Sequence, residues 1–238
     1  MIASLPMYDR PSTRAAHDRL WALIREALAD RGIAAPRHLT RDLAYHATWS
    51  HPDLLLGQVC VRPWQAHYHR SLTTIGASDY GLEGCAPGHY RSVYVMRAGD
   101  DRVVGPSLRR AANSPDSHSG WVALRALGPA DSATLFTGSH DASVLAVVAG
   151  QADLAAIHQQ TWRLQGRDLP AVRHLRVIGY SATAPGQTLA TAKGRDPRPL
   201  AAAIAEALDA LPAADRSCLG LRGFVSLQPA EYGLHEPA

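Results

Sequence analysis

Two stretches decide how this chain is read: NSPDSHSGW, residues 113–121, and TGSHDASVLAVVAGQADLAAI, residues 137–157. Each is a serine-rich turn that opens an amphipathic helix. The first helix carries Trp121, Leu124 and Leu127 before Gly128, and the second carries Val144, Leu145 and Val148 before Gly150. The first N–H groups of a helix have no intrahelical partner and hold the positive end of its dipole, so two such starts close together are suited to an anion. Hydroxyls at Ser114, Ser117, Ser119 and Ser139 add neutral donors. Binding follows from this pattern more directly than catalysis does.

Strands and helices alternate on either side of these turns. Ile2 to Leu5 reads as a short buried strand, and a helix capped at Ser12 carries Ala16, Leu20, Trp21, Ile24, Ala27 and Leu28 at helical spacing up to Gly32. A second helix is expected from about Arg41 to Trp49. DLLLGQVC, residues 53–60, has the continuous apolar character of a strand buried on both faces. Leu72 to Ala77 is another strand, and YRSVYVMR, residues 90–97, alternates so that Tyr90, Ser92, Tyr94 and Met96 share one face. Short strands at Ala111–Ala112, Asp153–Ile157 and Leu175–Tyr180 and a late helix at Leu200–Leu211 complete the pattern. Such alternation predicts an α/β chain with a mostly parallel, helix-covered sheet in each unit. Ligands of open α/β sheets sit beyond the carboxyl ends of strands, where the turns at Tyr8, Cys60, Ser114–Gly120 and Ser139 all fall.

Composition excludes several classes. At 238 residues and 46% hydrophobic content the chain can bury a full core in one large domain or two lobes. Of its 24 basic residues only Lys193 is a lysine, the net charge is +3, and no basic stripe interleaved with aromatics occurs, so nucleic acid is not an expected partner. The cysteines Cys60, Cys85 and Cys218 are far apart and form neither a CxxC pair nor a disulfide framework. No run of about 18 apolar residues spans a membrane, and the opening residues are too short and too soon polar for a signal peptide. His46, His51, His67 and His69 lack the spacing of a metal array, so no metal and no cofactor are expected. Asp116-Ser117-His118 and Ser139-His140-Asp141 contain the residue types of a hydrolytic triad. Adjacent residues on a turn point apart, however, and no GxSxG elbow is present.

The order SLPMYD, DLLLGQVC, GHYRSVYVMR, NSPDSHSG and TGSHDASVLAVVAGQADLAAI, followed by a Thr-Trp pair, resembles the phosphate, phosphite and phosphonate binding proteins of ABC transporters. The similarity runs from about residue 2 to residue 192, and the SxSG turn followed by GSHxA and GxAD carries most of it. The resemblance implies a two-lobe type II periplasmic-binding-protein fold with a cleft between lobes. Residues 1–88 with 183–238 would form one lobe and residues 89–182 the other. It implies capture of a small oxyanion for ABC-type import by a monomer that contacts a transporter permease. The location would be periplasmic, or cytoplasmic if Met1 is the native start.

By the same comparison Ser117, His118 and Ser119 hold the oxyanion with Ser114 nearby. His140 follows Ser139 in the GSH turn, Tyr90 lies on a crossing strand, and Tyr8 and Gln58 line the other lobe. Relatives that bind aminoalkyl phosphonates carry an acidic residue after the GxAD strand. This chain instead reads His158-Gln159-Gln160-Thr161, leaving a buried ammonium without a carboxylate. Arg62 after Cys60 is a further departure and offers a guanidinium fork. The alternative reading is a cytoplasmic enzyme or sensor on the same fold, of the menaquinone- or thiamine-precursor-biosynthesis type, with His140 or His158 as general base.

Overall fold

A computed structural model describes residues 1–227 and 229–233. The chain forms two compact units, one built from residues 1–88 and the chain from Pro185 onward, the other from residues 89–184.

In the first unit β1 (Ile2–Ser4) leads to α1 (Arg14–Ala29), whose Ala16, Leu20, Trp21, Ile24, Ala27 and Leu28 are buried in one core. These are the residues whose spacing predicted the helix. It starts one residue later than a cap at Ser12 would place it, because Thr13 holds the turn: its hydroxyl donates to the Tyr8 carbonyl at 2.6 Å and accepts the Arg10 N–H at 2.9 Å. The expected helix from Arg41 shortens to α2 (Tyr45–Trp49). Arg41 is drawn instead into ion pairs with Asp9 and Asp18 at 2.5 and 2.8 Å, and Leu43 remains exposed. β2 (Leu54–Val59) is buried along its whole length, α3 (Val61–Pro63) runs into the π-helical turn Trp64–Tyr68, and β3 (Leu72–Asp79) follows.

The second unit holds β4 (His89–Tyr90), β5 (Ser92–Arg97), β6 (Arg110–Ala112), α4 (Ala123–Arg125) and β7 (Leu135–Phe136). It continues with α5 (His140–Val148), β8 (Leu154–His158), α6 (Gln159–Asp168) and β9 (Leu175–Tyr180). The chain then returns through β10 (Ala184–Pro185) to β11 (Thr188–Ala192), α7 (Pro197–Ala210), α8 (Ala213–Leu219) and β12 (Gly223–Val225).

Each unit has a five-stranded sheet, in the orders β1-β2-β11-β3-β12 and β7-β6-β8-β5-β9. In the first, β1 and β2 are parallel, while β11 lies antiparallel between β2 and β3 and β12 is antiparallel to β3. In the second, β6 is parallel to β7 and β8, and β5 runs antiparallel to both β8 and β9. The reversed strands β5 and β11 are those by which the chain enters each sheet after passing between units. They pair without the crossover helix that a parallel neighbour requires.

The stretch expected as one strand over residues 90–97 breaks at Arg91 into β4 and β5. Its alternation serves two cores: Val93 and Val95 pack with Val144, Val147 and Ile157, whereas Tyr94 and Met96 pack with Leu108, Leu124 and Leu154. Helices thus cover both faces of this sheet.

Candidate functional site

In the second unit, the loop after β6 carries the first serine turn. Ser117 caps the π-helical turn His118–Val122, which runs on into α4, and its Oγ accepts the Gly120 N–H at 2.9 Å. Any Cβ at Gly120 would overlap Asn113 Oδ1 and stand 3.2 Å from Ser117 Oγ, so the glycine is what lets this turn close. After β7, Ser139 caps α5, its Oγ accepting the Ala142 N–H at 3.0 Å. Both serine turns are therefore N-caps, and each cap takes up one helix N–H.

Around the first turn the second unit gathers six of the expected residues. Ser117 Oγ lies 3.4 Å from Ser119 Oγ, which in turn lies 3.0 Å from His140 Nε2. The Tyr90 hydroxyl is 2.8 Å from His118 Nδ1, and the Tyr90 ring stacks on His158 with centroids 3.9 Å apart and planes 14° from parallel. His158 also caps α6: its Nδ1 accepts the Gln160 N–H at 3.1 Å, which places the proton of the neutral ring on Nε2. Burial pushes His140 down to about 4. Burial likewise holds His158 well below the ordinary histidine range, helped by His140 and His118. Ser114 and Ser139 border this group. Ser114 contributes its carbonyl to the Ser117 N–H at 3.2 Å, and Ser139 is an exposed cap.

Reading the sequence did not single out Ser92 or Asn113 as site residues. Ser92 is 1% exposed and pairs directly across from His158 on the neighbouring strand, which sets the two side chains on one face. Its Oγ, Asn113 Oδ1 and His140 Nδ1 are all buried without a hydrogen-bond partner. Buried polar atoms are nearly always paired, so three orphans around one turn mark a place built for something else to bond.

The first unit brings Tyr8 and Gln58 together through a residue not anticipated, Tyr80. Gln58, buried at the end of β2, accepts the Met7 N–H at 3.3 Å and lies 3.5 Å from the Tyr80 hydroxyl, and Tyr80 packs edge-on against Tyr8 at 4.9 Å. Tyr80 follows β3 directly, the same strand-end placement that drew attention to Tyr8 and Cys60. Burial pushes the Cys60 thiol up to about 12, consistent with a small packed side chain rather than a nucleophile. Arg62 is half-buried in α3. His46 bonds the Tyr68 hydroxyl at 2.9 Å and His51 accepts the Asp53 N–H. Among the described residues no group of three or more histidine, cysteine or acidic side chains could hold a metal ion.

Asp153, which directly precedes β8, is the hub of an ion network. Its carboxylate accepts from Arg97, Arg102 and Arg109 at 2.8 to 2.9 Å. Hydrogen bonding, from Arg109 above all, holds it far below the usual carboxylate range.

Two α/β units joined by two chain passages, with capped helix starts beyond strand ends, define the type II periplasmic-binding-protein fold. Solved structures share it at low identity. PhnD1 from Prochlorococcus marinus in complex with methylphosphonate has a TM-score of 0.68 at 15% identity, over 97% of this chain and 92% of that one. A binding protein component of an ABC phosphonate transporter from Pseudomonas aeruginosa has 0.60 at 16%, over 91% and 78%. The arginine-, lysine-, histidine-binding protein ArtJ from Geobacillus stearothermophilus has 0.58 at 10%, over 85% and 83%. No curated protein matches the chain. The family model of the phosphonate ABC transporter periplasmic substrate-binding protein matches residues 74–232, and the chain belongs to that family. Its members are periplasmic proteins that take a small solute to a transporter. Among the described residues, no helix is long and apolar enough to cross a membrane.

Proposed function

We propose that the protein captures a small phosphorus oxyanion (phosphonate, phosphite or phosphate) as a monomer and delivers it chemically unchanged to an ABC-transporter permease. The cluster of Tyr90, Ser117, His118, Ser119, His140 and His158 is the proposed oxyanion site, with Ser114 and Ser139 at its border. Tyr8 and Gln58 are further proposed contacts. The observation that carries this reading is the pair of buried, unpartnered polar atoms beside the serine turn that can donate to an oxyanion, Ser92 Oγ and His140 Nδ1. Hydroxyls and imidazole N–H groups are donors suited to phosphoryl oxygens.

The reading as a binder rather than an enzyme draws support from the Ser119–His140 pair. A nucleophilic serine needs a base that a third group orients. Here His140 Nδ1 has no partner, and Asp141 Oδ1 instead accepts from Gln165 Nε2 at 2.7 Å.

The test is isothermal calorimetry with methylphosphonate, phosphite, phosphate and sulfate, paired with phosphorus NMR of the ligand after incubation. At least one phosphorus oxyanion should bind and be recovered intact. A ligand present at about 100 times its Kd should add about 2.7 kcal/mol to stability, a second readout. Absence of binding by all three, or their conversion, would overturn the proposal.

A further inference from the structure

We propose that the oxyanion enters together with one proton, which settles on His140 and makes that imidazolium the cation of the site. This rests on the ligand reading above and deepens it, because it assigns the charge class of the solute: a dianion in preference to a monoanion of the same shape.

The three imidazoles differ in what their nitrogens can do. His158 has its Nδ1 occupied by the Gln160 N–H, so protonating it there would break the cap of α6. His118 has its Nδ1 against the Tyr90 hydroxyl. His140 alone of the three combines a hydroxyl partner at one nitrogen, Ser119 at Nε2, with a second nitrogen that is buried and unpartnered. The serine oxygen can accept a hydrogen bond from Nε2–H, and a ligand oxygen placed at Nδ1 would be the acceptor that nitrogen lacks. An imidazolium with both N–H groups bonded results, and no other group need move. The proton comes from solvent, and no covalent bond is made or broken.

The surroundings set the sign. From α5 itself, Asp141 favours a cation on His140, though its carboxylate also holds Gln165, and the helix start opposes one. From β8 and the serine turn, His158 and His118 are facing titratable groups, and like-charge repulsion opposes a second proton on His158 once one ring is charged. Among the described residues, the charged group acting on His140 is Asp141, with no arginine or lysine beside it. Without ligand, burial holds His140 at about 4, so at pH about 8.5 only roughly one ring in 30,000 is protonated. A unit negative charge about 4 Å away, at an effective dielectric of about 20, favours the imidazolium by a factor of about a thousand, and two charges by about a million. A monoanion therefore leaves the ring mostly neutral at that pH, whereas a dianion makes the imidazolium the main form.

The experiment compares methylphosphonate with methanesulfonate, a monoanion of nearly the same shape, at pH about 8.5 by calorimetry in buffers of different ionisation enthalpy. Close to one proton should be taken up per methylphosphonate, and few or none per methanesulfonate, which should bind at least about 30-fold more weakly. In the methylphosphonate complex, nitrogen NMR of the unsubstituted protein should show both His140 nitrogens protonated. His140→Asn should bind methylphosphonate more weakly and without proton uptake, and if that variant fails to fold the NMR measurement decides. Methylphosphonate binding with no proton uptake, or with a neutral His140, overturns this inference and leaves the proposed function standing. Failure of methylphosphonate, phosphite and phosphate all to bind overturns both.

Discussion

Replacing Ser117 and Ser119 together by alanine tests the site most directly. Ser117 Oγ already accepts the Gly120 N–H at 2.9 Å, so its lone pair serves the cap and its O–H remains to donate. Ser119 Oγ, 3.0 Å from His140 Nε2, is in the same position once the imidazole donates to it. Once the long 3.4 Å contact between the two hydroxyls gives way, each has one proton for a ligand oxygen, and a hydrogen bond to a charged group contributes about 1.5 to 3 kcal/mol. Loss of both predicts a fall in methylphosphonate affinity of about 3 to 6 kcal/mol, a factor of about 150 to 20,000. Loss of the Ser117 cap should separately lower stability by about 1 kcal/mol. Calorimetry measures the first effect and chemical denaturation the second, so weakened binding is not confused with unfolding. Ser114→Ala, which leaves the carbonyl bond to Ser117 intact, should change affinity less than about threefold. A double variant that folds and binds as tightly as the unsubstituted protein would refute the assignment of the serine turn.

Three further outcomes follow from the same geometry. Gly120→Ala should destabilise the second unit by about 1 to 3 kcal/mol, because the added methyl meets Asn113 Oδ1 and the Ser117 hydroxyl, and should weaken ligand binding with it; thermal melts and calorimetry check both. Asp153→Asn removes the charge that gathers Arg97, Arg102 and Arg109; those guanidinium groups are 29 to 50% exposed, so solvent screening holds the expected loss to about 2 kcal/mol, read by urea denaturation. In acid, His140 is held at about 4 in the folded protein against its ordinary value of 6.5, so the unfolded chain binds more protons between these values and stability should fall as pH drops from about 6.5 to about 4, by up to about 3 kcal/mol. Saturating methylphosphonate should shrink that fall and His140→Gln should remove the His140 share of it, leaving the share of His158, which burial also holds low; both are measured by denaturation at pH 4.5 and 7.5.

Elements whose signal is local were legible in the sequence. The stripe of α1 through Leu20, Trp21, Ile24 and Leu28 and that of α7 through Leu200, Ala203, Ile204, Ala207 and Leu208 are buried in one core because a helical period alone puts them on one face. The unbroken apolar run of β2 marked a strand buried on both sides, and it is one. Strand direction was less legible. That β5 and β11 run against their neighbours depends on where the chain re-enters each sheet, a long-range fact with no trace in the residues of either strand. The alternation of residues 92–97 likewise implies one buried face, yet a central strand covered by helices on both sides buries the intervening valines too.

The proposed site divides along the same line. Ser117, Ser119 and Gly120 belong to one turn whose capping chemistry is written within four residues, and His140 follows the next cap. What joins the two turns is a sheet: β6 and β8 pair in parallel, β8 ends at His158, and β5 pairs with β8 so that Ser92 lies opposite it. A one-residue slip of that register would turn Ser92 to the other face and leave Val93 beside His158. The serine turns therefore specify donors, while strand pairing decides which buried atoms stay unpaired around them. An anion site of this kind is made by register as much as by motif, which is why Ser92 and Asn113 become visible only once the strands and turns have their partners.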